Sequence, residues 1–209
     1  MLQIAHRGYS FKYKDNNLKS FIEAINNNFD IIEMDLQLNK NNEIVIYHDL
    51  FYKEKLIRNL SNNKIKKYNI LTLKDFFKSF DYINVKIIFD LKGDSLLSKY
   101  LLEFINLYKI DTSNIILASF NENHLLQLKN QNFKLGFITC NNFTSIHFFT
   151  LITDYDFVIA DINVIDENFV SQCKKYNKKL YCFTCHNENE KKLFFKYNID
   201  GIITNIKIF

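Results

Sequence analysis

The chain has 209 residues, 47% of them hydrophobic and 24% charged, which is the balance of a globular protein able to bury a sizeable core in a single domain. Its formal net charge of +4 argues neither for nor against nucleic acid, but the lysines are spread along the chain instead of forming a dense basic block, so no nucleic-acid partner is expected. No apolar run approaches the length of a transmembrane segment, and Met1 leads directly through Leu2-Gln3-Ile4-Ala5 into a motif, which does not read as a signal peptide; a cytoplasmic location is expected.

There is no proline and only four glycines, Gly8, Gly93, Gly136 and Gly201, so each glycine marks a place where the backbone turns or is closely approached. Leu2 to Ala5 reads as a first strand that runs into His6-Arg7-Gly8. Asn16 and Asn17 can cap a helix whose apolar positions Leu18, Phe21, Ile22, Ile25 and Phe29 follow helical spacing. Ile31 to Leu36 reads as the second strand, and its period of two puts Glu33 and Asp35 on one side. Two such acids repel unless something positive lies between them. One divalent cation that prefers oxygen ligands, Mg²⁺ or Ca²⁺, is the economical answer.

The link Asn39-Lys40-Asn41-Asn42-Glu43 is too short for a crossover between parallel strands, so Ile44 to Tyr47 is read as the return arm of a hairpin, with His48-Asp49 at its end. Tyr52 to Leu71 is polar and lysine-rich and reads as a partly ordered excursion, followed by a helix from Leu73 to Phe80. Val85 to Asp90 is the third strand, and the same periodicity places Asp90 and Lys92 on one face. Asp94 or Ser95 then caps a helix with Leu97, Leu101, Phe104 and Ile105 along one stripe.

Further strand-then-helix units follow, with strands at Ile115 to Ala118, Leu135 to Thr139, Phe157 to Ala160, Leu180 to Phe183 and Gly201 to Thr204. Such alternation predicts parallel strands covered by helices. With the hairpin set aside, eight strands remain, so the expected fold is α/β: a single (β/α)₈ TIM-type barrel with a β-hairpin insertion after the second strand. A doubly wound open sheet is the alternative, without the Gly-rich turn that a dinucleotide site requires. The four cysteines show no secreted framework and read as reduced thiols. Cys182-Phe183-Thr184-Cys185-His186 superficially suggests zinc, but a second ligand pair is missing and a regular strand would turn the two thiols to opposite faces. His124, His147 and His186 fall on helices or their starts and read as structural or surface residues; Phe120 and Phe183 read as core or pocket wall.

The ordered text His6-Arg7-Gly8, Asp15-Asn16, Glu33-x-Asp35, His48-Asp49, Asp90-Leu91-Lys92 and Asp200-Gly201-Ile202-Ile203-Thr204 resembles the glycerophosphodiester phosphodiesterase family over nearly the whole chain. The resemblance implies a TIM-type barrel and metal-dependent hydrolysis of a small glycerophosphodiester to glycerol 3-phosphate and an alcohol. In such a barrel the active site lies at the C-terminal strand ends, where His6, Glu33, Asp35, Asp90 and Lys92 fall, with His48 folded over from the hairpin. The expected roles are then Glu33, Asp35 and Asp90 as ligands of the cation, Arg7 and Lys92 on phosphate oxygens, and His6 and His48 dividing the proton work. Which histidine is acid and which is base stays open at this point.

The chain departs from the family's text in four places. Lys14-Asp15-Asn16-Asn17 stands for Pro-Glu-Asn-Thr, Asp90 for a glutamate and Phe183 for a tryptophan, and the segment after His48 is shorter. Asp90 and the missing Pro-Glu text motivate one alternative, a barrel without turnover that binds phosphate or a partner. A second is a phospholipase D-like activity on lysophospholipids that leaves a cyclic phosphate, because barrels with the same His, Glu and Asp set also serve that chemistry.

Overall fold

In the computed structural model, which describes residues 1–208, the apolar runs of the sequence form a ring of parallel strands. β1 (Leu2–Ala5) leads through helix α1 (Leu18–Asn26) to β2 (Ile31–Leu38), which turns back as β3 (Ile44–Ile46). A clip of β4 (Phe51–Tyr52) and β5 (Lys55–Leu56) follows, then helices α2 (Asn62–Lys67) and α3 (Leu73–Ser79) before β6 (Lys86–Leu91). From there alternation is regular: α4 (Leu96–Tyr108), β7 (Ile115–Ser119), α5 (Glu122–Leu128), β8 (Lys134–Thr139) and α6 (Ser145–Ile152). β9 (Phe157–Asp161), α7 (Glu167–Lys175), β10 (Lys179–Cys185), α8 (Glu188–Tyr197) and β11 (Gly201–Thr204) complete the chain.

Closure comes from β1, which pairs in parallel with both β2 and β11; the ring runs β1-β2-β6-β7-β8-β9-β10-β11. This is a closed eight-stranded TIM barrel. β3 pairs antiparallel with β2, Leu36 opposite Ile46, so the short Asn39-to-Glu43 link makes a hairpin and not a ninth barrel strand. No helix among the described residues is long and apolar enough to cross a membrane.

Side-chain alternation divides the core in two. Ile32, Met34, Leu36 and Leu38 of β2 face the helices and join a large apolar layer with Phe21, Phe76, Leu101 and Phe169. The inward positions build a second, smaller layer, in which Ile4, Ile31, Ile88, Ile116, Ile138, Ile159, Tyr181 and Ile203 come one from each barrel strand. Burial of each such side chain is worth about 2 kcal/mol. Moving two residues towards the C-terminal end of these strands replaces this apolar floor with His6, Glu33, Asp90 and Asp161. The barrel therefore has a dry base and a polar mouth.

Three local readings need correction. The stretch from Tyr52 to Leu71 is ordered, because Ile57, Leu60, Ile65 and Ile70 pack with Val45 into a small core of their own and Tyr52 stacks on Tyr68 at 4.4 Å. Cys182 and Cys185 do not face opposite sides. Three residues of β10 span two of β11 between the pairs Cys182–Ile202 and Cys185–Thr204, and this bulge turns both buried thiols into the outer apolar layer. The Phe29 of the expected helix stripe lies beyond the end of α1, although it is buried with the same layer.

Caps fix the elements that carry the site. Asn17 closes a capping box with Ser20 at the start of α1, so the loop after β1 is held against that helix. Gly8, at φ +78°, sits where a Cβ would lie 2.7 Å from the carbonyl carbon of Ser20, which leaves room only for glycine. At the start of α4 it is the Asp94 carboxylate that accepts from the Leu96 amide, 3.0 Å, while Ser95 makes no side-chain cap.

Candidate active site

Glu33, Asp35 and Asp90 are all buried at the mouth, with one carboxylate oxygen of each within 4.8 Å of the others. Two oxygens on one hard cation can be no further apart than twice the cation–oxygen distance, roughly 4 Å for Mg²⁺ and roughly 5 Å for Ca²⁺, so this span suits one Ca²⁺ as it stands and one Mg²⁺ if the carboxylates draw in. Asp90 adds a second sign: its Oδ1 is buried and accepts no hydrogen bond among the described residues. A buried acceptor left without a donor is costly, and a cation would satisfy it.

The rest of the acid cluster is held by donors. The Arg7 backbone amide donates to Glu33 Oε2 at 2.8 Å, a geometry made by the left-handed turn at Arg7 (φ 58°) and Gly8. Asn16 Nδ2 donates to Asp35 Oδ2 at 2.7 Å, and the Asp35 amide returns to Asn16 Oδ1 at 3.3 Å. Arg7 Nε stands 3.3 Å from Asp35 Oδ2, an ion-pair contact without hydrogen-bond alignment. Lys92 Nζ reaches Asp90 Oδ2 at 2.6 Å and Asp35 Oδ1 at 3.3 Å.

Burial dominates the electrostatics. It raises the Glu33 carboxyl well above the ordinary range, helped by the neighbouring charges of Asp35 and Asp90. Burial likewise pushes Asp90 up to about 7, opposed by the Lys92 charge and reinforced by Asp35. For Lys92 burial works against the ammonium, yet Asp90 and Asp35 outweigh it and hold the charge in place. Acids that resist ionisation beside a fixed ammonium have too little positive charge around them, as expected of a site for a further cation.

His6 and His48 open onto the same cavity of about 430 Å³ as Arg7, Glu33, Asp35, Asp90 and Lys92. His6 Nδ1 lies 2.7 Å from Asn205 Oδ1, which also accepts from Ser10 Oγ at 3.0 Å. Burial, then the Arg7 charge, lowers the His6 ring to about 4, so it is neutral near pH 7. His48 is more exposed, and its Nδ1 lies 2.7 Å from the Asp49 carboxylate. Gln37 secures this turn from below: its Nε2 lies within 3.0 Å of the carbonyls of Tyr47, His48 and Asp49. A larger groove of about 820 Å³ runs beside α1 and α2, but none of the acid, histidine or cation set faces it.

All seven expected site residues thus surround one cavity. Three further residues escaped the sequence reading. His186, read as structural or surface, lines the same cavity, and Asn205 Nδ2 lies 3.2 Å from its Nδ1. Asn205 and Asp161 continue the inward-facing alternation of Ile203 and Ile159, and that period of two was the signal available for them. His124 is fully buried under α4, bonded to Ser98, and is structural as read; His147 is exposed. Phe120 and Phe183 form a wall of the cavity, their rings edge to face at 6.0 Å.

The comparisons with known proteins concern the family and the fold. The sequence model described as the "Glycerophosphoryl diester phosphodiesterase family" matches residues 6–206. A glycerophosphodiester phosphodiesterase of Caldanaerobacter subterraneus subsp. tengcongensis is 26% identical, covering 98% of this chain and 93% of that protein. An uncharacterised Mycoplasma genitalium protein is 30% identical over 94% of this chain and 91% of its own length. In fold, an Oleispira antarctica phosphodiesterase solved with the product sn-glycerol-3-phosphate superimposes with a TM-score of 0.86 at 19% identity, over 98% of this chain and 93% of the other. A Thermotoga maritima glycerophosphodiester phosphodiesterase gives 0.83 at 23% identity, over 98% and 94%. With its ordered motifs, its closed barrel and a family match over nearly its full length, the chain belongs to the glycerophosphoryl diester phosphodiesterase family of enzymes.

Proposed function

We propose that this chain hydrolyses glycerophosphodiesters to glycerol 3-phosphate and an alcohol, with one divalent cation, Mg²⁺ or Ca²⁺, held by Glu33, Asp35 and Asp90. The observation that carries the reading is the meeting of three buried carboxylates, two cationic side chains and two histidines in one cavity. When bound, the cation supplies charge neutralisation at a phosphoryl oxygen. Arg7 and Lys92 hold the other phosphate oxygens, Arg7 through its planar fork and Lys92 as a point charge. The two sides of the site share the proton work. His6, neutral and with Nδ1 donated to Asn205, has its free lone pair on Nε2 and takes the proton of the attacking oxygen. His48, whose Nδ1 lies 2.7 Å from the Asp49 carboxylate, gives a proton to the departing alcohol.

Product analysis tests the reading. Glycerophosphocholine incubated with the full chain and Mg²⁺ or Ca²⁺ is expected to give glycerol 3-phosphate in the ³¹P NMR spectrum, and EDTA to stop it. Cyclic phosphate as the end product, with lysophospholipid as the better substrate, would replace the reading by the phospholipase D-like one. Absence of turnover with either cation, on this substrate and on an aryl phosphodiester, would leave a binding barrel.

A further inference from the structure

We infer that Asn205 is the positioning residue of His6: its side-chain oxygen fixes the ring so that Nδ1 carries the proton and Nε2 faces the phosphoryl group. The inference rests on the proposed role of His6 in hydrolysis. Its geometric basis is the 2.7 Å contact between His6 Nδ1 and Asn205 Oδ1, across 199 residues of sequence and between the ends of two adjacent strands.

The amide is oriented from both of its ends. Oδ1 accepts from Ser10 Oγ at 3.0 Å as well as from His6, while Nδ2 lies 3.2 Å from His186 Nδ1, where that ring accepts. In this orientation the Ser10 hydroxyl donates to the amide oxygen and the His186 ring accepts from the amide nitrogen, so every polar atom of the Asn205 side chain has a partner. His6 Nδ1 then has only an acceptor before it and must be the donor. The neutral ring then has one acceptor nitrogen left, Nε2, on a residue that lines the cavity.

The strand end does not need this side chain. Backbone groups already tie it, with the Asn205 amide donating to the Cys185 carbonyl at 3.4 Å and the Asn205 carbonyl accepting from the Phe11 amide at 3.3 Å. Thr204 Oγ1 adds bonds to the Cys185 and Ile206 carbonyls at 2.9 and 3.0 Å. What the Asn205 side chain supplies beyond these is a neutral acceptor for one ring nitrogen. Arg7, Asp35 and His48 are the charged or titratable groups that also act on His6, and none of them is its hydrogen-bond partner.

The test compares Asn205→Ala and Asn205→Asp with the wild-type chain in the presence of Mg²⁺. In the wild type, ¹⁵N histidine NMR should show His6, assigned by its loss in His6→Ala, as the Nδ1–H tautomer. Asn205→Ala is expected to mix the two tautomers and to lower kcat by roughly 10²-fold with KM within about threefold, because the group is misplaced while the substrate contacts remain. Asn205→Asp keeps an acceptor oxygen at the same place and is expected to retain the tautomer and most of kcat at neutral pH. A wild-type His6 in the Nε2–H form overturns the inference without any variant. So does an Asn205→Ala enzyme with unchanged tautomer and unchanged kcat, or one whose loss lies in KM alone. Should the wild type show no turnover while His6 is found as Nδ1–H, dependent on Asn205, the proposed hydrolysis fails and the positioning by Asn205 stands.

Discussion

Lys92 Nζ and Asp90 Oδ2 lie 2.6 Å apart at the end of one strand, on side chains separated by a single residue that points the other way. The same ammonium reaches Asp35 on the neighbouring strand at 3.3 Å, so β2 and β6, paired with Asp35 opposite Asp90, share one positive charge at their ends. Lys92 is thus the counter-charge of Asp35 and Asp90 as well as the proposed phosphate contact. Lys92→Met should therefore act twice. It should lower kcat/KM by at least tenfold, and it should destabilise the metal-free chain by roughly 3 kcal/mol, since breaking a buried ion pair leaves an uncompensated charge. Chemical denaturation with and without EDTA checks the second effect, which a purely catalytic lysine would not produce.

Loss of either histidine should stop most of the proton transfer. His6→Ala and His48→Ala are each expected to lower kcat by roughly 10²–10⁴ while the barrel stays folded. Steady-state kinetics with circular dichroism as the folding control decides this. Wild-type rates in either variant would remove that residue from the mechanism.

The pH profile has a definite sign. Burial, with Arg7 second, places the His6 ring at about 4, below its ordinary 6.5. A base must be neutral to act, so kcat/KM should hold level as pH falls through 6.5 and decline only as it approaches 4. The same shift affects stability in the same direction: the unfolded chain takes up this proton first, so His6 removes stability as pH falls from 6.5 to about 4. An acid limb of kcat/KM centred near 6.5 that does not move when the cation concentration is raised, and so does not come from protonation of Glu33 or Asp90, would contradict the assignment of His6 as the base.

Gly8→Ala should be a folding variant. The added Cβ meets the Ser20 backbone and the position lies at φ +78°, so a loss on the order of 2–4 kcal/mol is expected from crowding and strain together. Thermal unfolding measures it. Because this turn aims the Arg7 amide at Glu33, cation activation should weaken as well; a variant as stable as the wild type would mean the turn relaxes easily.

The barrel was legible because each strand is decided locally. Apolar positions at a period of two, as in Ile31 and Glu33 against Ile32 and Met34, state both the strand and its two faces. The hairpin followed from a link too short to cross a barrel. The acids, His6 and Lys92 were legible because the ends of strands are where such a fold places chemistry. What stayed hidden depends on neighbours far away in sequence. Ile57, Leu60, Ile65 and Ile70 form a core only with Val45, and their spacing has no single period. One extra residue in β10 put Cys182 and Cys185 on the same face instead of the opposite faces expected of a regular strand. Nothing near His186 or Asn205 announces that the two side chains meet beside His6.

One cation held by Glu33, Asp35 and Asp90 is the centre of the proposed mechanism, and calorimetric titration of the full chain with Mg²⁺ and with Ca²⁺ tests it most directly. One ion per chain should bind in the wild type, and binding should be lost or weakened at least tenfold in soluble, folded Glu33→Gln and Asp35→Asn variants. No binding of either ion to the wild type, or binding left unchanged by both substitutions, would contradict it.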